Sequence, residues 1–226
     1  EVVTVIKVVG MEQEEALYKV LKEMITASKN IRFEGDGYSD EWKEEAMRRG
    51  LTNISHVPEA IMRFNDSQSR EVLIGENIFN ENELICRIEV ELEKFTKKVQ
   101  IESRVLGDLA INHIVPTAVI YQNRLLENLR GLRETFSQVE YEMLGADRRE
   151  LVKEIQFRIL EIKQLVREMT EARRISNRLT SQVEKAYSYE EKVRPYMEQI
   201  REHIDHLELE IDDEIWPLPK YRELLF

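Results

Sequence analysis

The sequence predicts a mainly α protein: a long antiparallel helical bundle with a small N-terminal helical subregion and at most one short strand. Three observations carry that prediction. Charged residues make up 34% of the chain and aromatics 8%, while only 8 glycines and 5 prolines interrupt 226 residues, a balance that favours long amphipathic helices over a sandwich or a parallel sheet. Apolar residues then recur in steps of three and four from Leu84 to Ile215. Helix caps and stops punctuate that pattern where turns are needed.

Along the chain, Val2 to Val9 is β-branched and short and reads as a strand or an extended lead-in. Ala16/Leu17, Val20/Leu21 and Met24/Ile25 predict a helix over about Gln13 to Ser28. A second, compact helix has Ser39 as its cap and Asp40 and Glu41 in the positive first turn. Arg48 and Arg49 fall in its last turn, and Gly50 is a left-handed stop. Pro58 suits the start of a short helix, and another should end at Gly75. Residues 1–79 thus form a strand and short-helix region, and 80–226 a long-helix bundle.

The bundle opens with capping-box spacing between Asn80 and Glu83. Leu84, Ile88, Leu92, Phe95 and Val99 follow, and the helical pattern continues to about Phe136. A helix kinked just ahead of Pro116 is expected. Gly145 and Asp147 mark a connection, with Glu150 completing a cap at Asp147. One stripe then runs from Leu151 through Ile155, Ile159, Ile162, Val166, Met169 and Ile175 to Ala186. A third long helix should start near Ser188, capped with Glu191, carry Ile200, Ile204, Leu207, Ile211 and Ile215, and stop at Pro217. Short connections make these helices antiparallel neighbours, which buries Ile162 and Ile204 and leaves Glu161 and Lys163 in solvent.

Composition excludes several functions. Lys+Arg of 33 against Asp+Glu of 44 gives a net charge of −11, which repels nucleic acid and anionic membrane surfaces. No stretch approaches the roughly 18 apolar residues of a membrane span. Cys86 is alone, so no intramolecular disulfide forms, and a reducing compartment is expected. The apolar start, "EVVTVIKVVG", has neither a Met nor a basic segment and reads as the opening of a fragment rather than a signal peptide.

Candidate chemistry is sparse. Gly35 and Gly37 match two glycines of a dinucleotide fingerprint, but Asp40 occupies the third place, where a carboxylate repels phosphate. As a calcium loop from Asp36, the sequence offers Tyr38, Glu41 and Met47 at the third, sixth and twelfth positions, none of which fits. The loop therefore reads as a turn feeding a capped helix. His206 and Glu210 could share a helix face toward zinc, with His203, Glu202 and Asp205 nearby, but no second ligand set is visible. His113 and Asp108 point in different directions on one helix, and His113 reads as partly buried; Cys86 reads as a small core residue. No catalytic, cofactor-binding or metal residue is assigned. Residues 99–121 are apolar nearly all round, so either the N-terminal helices or a larger partner should cover them.

Three strings carry a resemblance: "GDGYSDEW" at 35–42, "IESRVLGDLAINHIVPTAVIYQNRLLENLRGL" at 101–132 and "WPLPKYRELLF" at 216–226. They closely resemble the carboxy-terminal region of type III glutamine synthetase, the long bacterial form. The likeness spans almost the whole chain, loosely over the first ten residues and 137–150. It implies a parent enzyme that ligates ammonia to glutamate with ATP and Mg or Mn, in a large cytoplasmic homo-oligomer. The resemblance also implies that the family's metal-binding glutamates and phosphate-contacting arginines lie upstream of this region. The chain itself would then be inactive, packing against the parent's catalytic domain and other subunits. The alternative is a free-standing helical scaffold or regulatory binding module.

Overall fold

The computed structural model describes residues 12–224, and the strand expected at Val2 to Val9 lies outside them. Among the described residues every regular element is a helix, with no strand. Two compact units divide it, with the boundary between Ser55 and His56.

In the first unit, helix α1 (Gln13–Ala27) buries Ala16 and Val20 and closes into a 3-10 turn at Ser28–Ile31. Helix α2 (Asp40–Arg48) starts and stops as its sequence specifies. The Ser39 hydroxyl accepts the Trp42 N–H, Asp40 and Glu41 occupy the first turn, and Gly50 takes φ +69°. That left-handed residue lets the Leu51 N–H reach back to the Ala46 carbonyl at 2.8 Å, a Schellman closure.

The second unit begins with α3 (Val57–Met62), which carries Pro58 in its first turn, and α4 (Ser67–Gly75). Ile61, Leu73 and Phe79 pack against Leu84, Ile88 and Leu92, so the short helices sit on the first turns of α5 (Glu81–Leu109). The Asn80–Glu83 capping box that opens α5 is complete in both directions. Helix α5 passes through a π-turn at Ala110–Ile114 into α6 (Val115–Thr135). The break expected ahead of Pro116 is thus a widened turn. The carbonyl four residues before the proline belongs to Asn112, inside that turn, where the ring's clash with it is relieved.

After α6 the chain departs from expectation in four places. Ser137 and Glu140 form a second complete capping box and open a short helix α7 (Gln138–Leu144). No cap forms at Asp147. Helix α8 (Ala146–Asn177) starts from Gly145, and Glu150 pairs with Lys153 instead. The Arg149 guanidinium takes the neighbouring role, donating to the α7 carbonyls of Tyr141 and Glu142.

The expected turn near Ser188 lies earlier, at residues 178–181. Ser181 accepts the Glu184 N–H and starts α9 (Gln182–Ser188), which runs through a second π-turn at Tyr189–Val193 into α10 (Arg194–Glu210). Ser188 is buried instead, its hydroxyl 2.8 Å from that of Ser176. The stripe shifts accordingly: Ser176 is buried and Ile175 is 48% exposed.

Helix α10 also ends before Ile215, at Glu210. The Lys220 ammonium is buried and donates to the Glu208 and Ile211 carbonyls at 2.6 and 2.8 Å, satisfying the helix end from outside.

Pairs across the helices fix their direction. Gln100 meets Asn177, a Cβ on Gly107 would touch Met169 and Val166, and the Gln122 amide donates to the Val152 carbonyl. As one number rises the other falls, so α5–α6 runs antiparallel to α8. Arg158 beside His203 and Ser176 beside Ser188 show the same for α8 and the helix after it. One core joins all three, with Ile155, Ile162, Met169, Ile200 and Leu207 fully buried.

Ile162 is fully buried and Ile204 nearly so, while Lys163 is exposed and Glu161, expected in solvent, is half-buried because it borders the Ile162 stripe. An Ile162→Asp or Ile204→Asp change places an unpaired carboxylate in apolar surroundings and should cost several kcal/mol, a large share of a domain's typical ~5–15 kcal/mol. Lys163→Ala should shift stability by less than about 0.5 kcal/mol. Thermal melts of the three variants check the contrast, and equal midpoints would mean that no hairpin core exists.

Candidate functional site: a groove on the long helix

Ile101, Val105 and Leu109 follow one another at four-residue steps on α5, so they share a face. With Met197, Arg194 and Arg201 of α10 they line an open groove. Ile101 is 62% and Val105 51% exposed, although neither position has a polar reason to face water. A second groove continues from the first through Glu102, Arg194 and Met197 to Phe95 and Val57.

Arg194, common to both grooves, is held from beneath. Glu190 lies in the second π-turn with its side chain 5% exposed, and it accepts from Arg194 at 2.9 and 3.2 Å. His56 Nδ1 is 3.3 Å from the same carboxylate. Arg194 Nε also comes within 3.6 Å of Glu198. A buried carboxylate needs such partners, and in return it fixes where the guanidinium sits. The i,i+4 spacing of Glu190 and Arg194 is visible in the sequence, but the burial of Glu190 is not, because the π-turn turns it inward.

The other candidates resolve separately. At the Gly-Asp-Gly loop, the Asp36 carboxylate accepts the Tyr38 N–H at 2.9 Å, and the Asp36 carbonyl accepts from the Ser39 hydroxyl at 2.8 Å. A Cβ on Gly35 would come within 2.6 Å of the Phe33 ring, whose centroid lies 4.9 Å from that of Trp42 at a tilt of 41°. The loop's polar groups thus build a turn.

His113 is exposed, not partly buried, and Asp108 accepts from Asn112 rather than approaching it. Cys86 is exposed too, correcting its placement in the core. Leu84, Ile88 and Leu92 set the buried face, and a residue two past Leu84 lies about 200° round the helix.

His203 and His206 do not converge on a metal. Among the described residues no three His, Cys, Asp or Glu side chains cluster closely enough to form a metal-ligand set. His203 is instead held by its surroundings. Phe157 packs edge-on at 6.0 Å, and Arg158 Nη1 is 3.4 Å from Nδ1. A guanidinium can only donate, so Nδ1 accepts and the ring is neutral. Burial, with the Arg158 charge behind it, lowers the His203 pKa from its ordinary 6.5.

Two open, largely apolar grooves that share a braced arginine are thus the most prominent surface feature of the second unit among the described residues. The glutamine synthetase C-terminal domain family matches residues 16–133, from α1 to the last turns of α6, and the chain belongs to that family. A glutamine synthetase of Bacteroides fragilis (strain YCH46) is 70% identical over 217 residues, covering 96% of this chain and 30% of that protein. The type-3 glutamine synthetase of Dictyostelium discoideum is 29% identical over 95% of the chain and 29% of its own length. A glutamine synthetase of Butyrivibrio fibrisolvens is 32% identical over 53% of the chain. The chain thus spans about 30% of the length of the first of these relatives. No helix among the described residues is long and apolar enough to cross a membrane.

The lowered His203 pKa has a definite sign. The unfolded chain protonates first as pH falls, so the stability contribution is fully present above about pH 6.5 and is lost on acidification toward the folded pKa. His203→Gln should flatten the fall in melting temperature between about pH 7 and 5 relative to the parent chain. Parallel pH profiles for the two would contradict the assignment of His203 as a half-buried neutral imidazole.

Proposed function

We propose that the chain is the carboxy-terminal part of a type III glutamine synthetase and serves to pack and assemble the enzyme. The parent ligates ammonia to glutamate with ATP and a divalent ion, Mg or Mn, in a large cytoplasmic homo-oligomer. Those groups belong to the remainder of the parent, and no step of the reaction is assigned to residues of this chain. The observation that carries the reading is the groove on α5, where Ile101 and Val105 keep aliphatic side chains half or more in water. Fully burying an exposed valine or isoleucine is worth about 1.5–3 kcal/mol, so a subunit or catalytic domain seated there gains about half of that from each. Arg194, braced by Glu190, supplies a fixed polar contact at the groove's edge.

Ile101→Asp with Val105→Asp in the full-length enzyme tests this. Both sites are solvent-exposed in the chain, so the fold should survive while the assembly weakens. Analytical ultracentrifugation should show smaller species and a parallel loss of specific activity; an unchanged sedimentation profile would remove the groove from the interface. The chain alone, given glutamate, ammonia, ATP and magnesium, should make no glutamine. Turnover that survives repurification and scales with the chain would overturn the division of labour.

A further inference from the structure

Away from the groove, the antiparallel register of α5 and α8 sets an exposed arginine and a half-buried one opposite each other. Gln100 on α5 donates to Asn177 Oδ1 on α8 at 3.3 Å. In an antiparallel pair, the residue one turn onward from Gln100 meets the residue one turn back from Asn177. Those residues are Arg104 and Arg173. The Tyr189 hydroxyl lies with them, donating to Asn177 Oδ1 at 2.8 Å, and both guanidinium charges act on it. Arg173 is half-buried, and burial together with the Arg104 charge lowers its pKa.

Like charges set against each other repel, and a protein with 44 acidic residues has carboxylates to spare. Nearby arginines are paired: Arg174 with Glu171 at 2.7 Å and Arg194 with Glu190 at 2.9 Å. Among the described residues no carboxylate pairs with Arg104 or Arg173, and one turn along the same helices stands the Gln100–Asn177 amide pair, with the Tyr189 phenol bonded to Asn177. Two guanidinium forks with open donors, one of them partly desolvated, have the chemistry of an oxyanion site.

We propose that Arg104 and Arg173 bind a phosphate-type oxyanion across the α5–α8 crossing. The anion converts a repulsive contact into a bridge between the two helices, so its binding stabilises the bundle. The same oxyanion can arrive as inorganic phosphate or as the phosphate of a nucleotide, and the two sources are distinguished by titrating each.

The test uses the 226-residue chain and its Arg104→Gln and Arg173→Gln variants, at constant ionic strength balanced with chloride. Melting temperature is followed against inorganic phosphate and, separately, a nucleoside triphosphate. The wild type should gain a saturable increase with at least one of them, and either variant should weaken that binding by about tenfold or more. Without phosphate the variants should melt at or above the wild type, because they relieve the repulsion. A purely structural role for the arginines predicts the opposite in that arm. Saturation by phosphate identifies a free anion, and saturation by the nucleotide alone identifies a nucleotide-borne phosphate. No saturable response to either, or an equal response in the variants, overturns the proposal. So does a variant that melts lower than wild type in both buffers.

Discussion

Ile155, Ile159, Ile162 and Met169 project from α8 into a core shared with α5 and α6 on one hand and α10 on the other. The second unit depends on that shared use. Each fully buried aliphatic side chain contributes about 1.5–3 kcal/mol, so one helix with one stripe organises both neighbours. The polar cross-links, Gln100 to Asn177, Gln122 to Val152 and Arg158 to His203, lie along the same helix and set its register. They add specificity to an interface whose energy is apolar.

Keeping long helices on this stripe requires accommodating two prolines, and both are met the same way. Pro116 and Pro195 each follow a five-residue π-turn by two residues. The carbonyls four residues back, of Asn112 and Glu191, fall inside those turns, so the helix continues where an unmodified one would lose about 3 kcal/mol or more. The added residue also re-aims the face that follows. That shift buries the Glu190 carboxylate beneath Arg194 and so braces the groove.

Much of this architecture was legible. Ser39, Asn80 and Gly50 read correctly because caps and left-handed stops are local chemistry. The turn at 178–181 is hidden in the sequence because Leu179, Val183 and Ala186 keep helical spacing straight across it, and only the Ser181 cap on Glu184 marks the new start. Cys86 and His113 were given too much burial, since proximity in sequence to isoleucines does not fix helical phase. The pairing of Arg104 with Arg173 could not be read at all. Sixty-nine positions separate them, and only the antiparallel crossing joins them.

The account of function rests on a contrast within one helix: α5 buries Leu84 and Leu92 in its own unit yet leaves Ile101 and Val105 to water. In a family member whose relatives are about three times its length, that surface is read as belonging to an assembly. Hydroxyl-radical footprinting of the full-length enzyme and of this chain measures side-chain cover directly. The account predicts that Ile101 and Val105 label readily in the chain and lose most of that labelling in the assembled enzyme. Equal labelling of the two in both forms would contradict it.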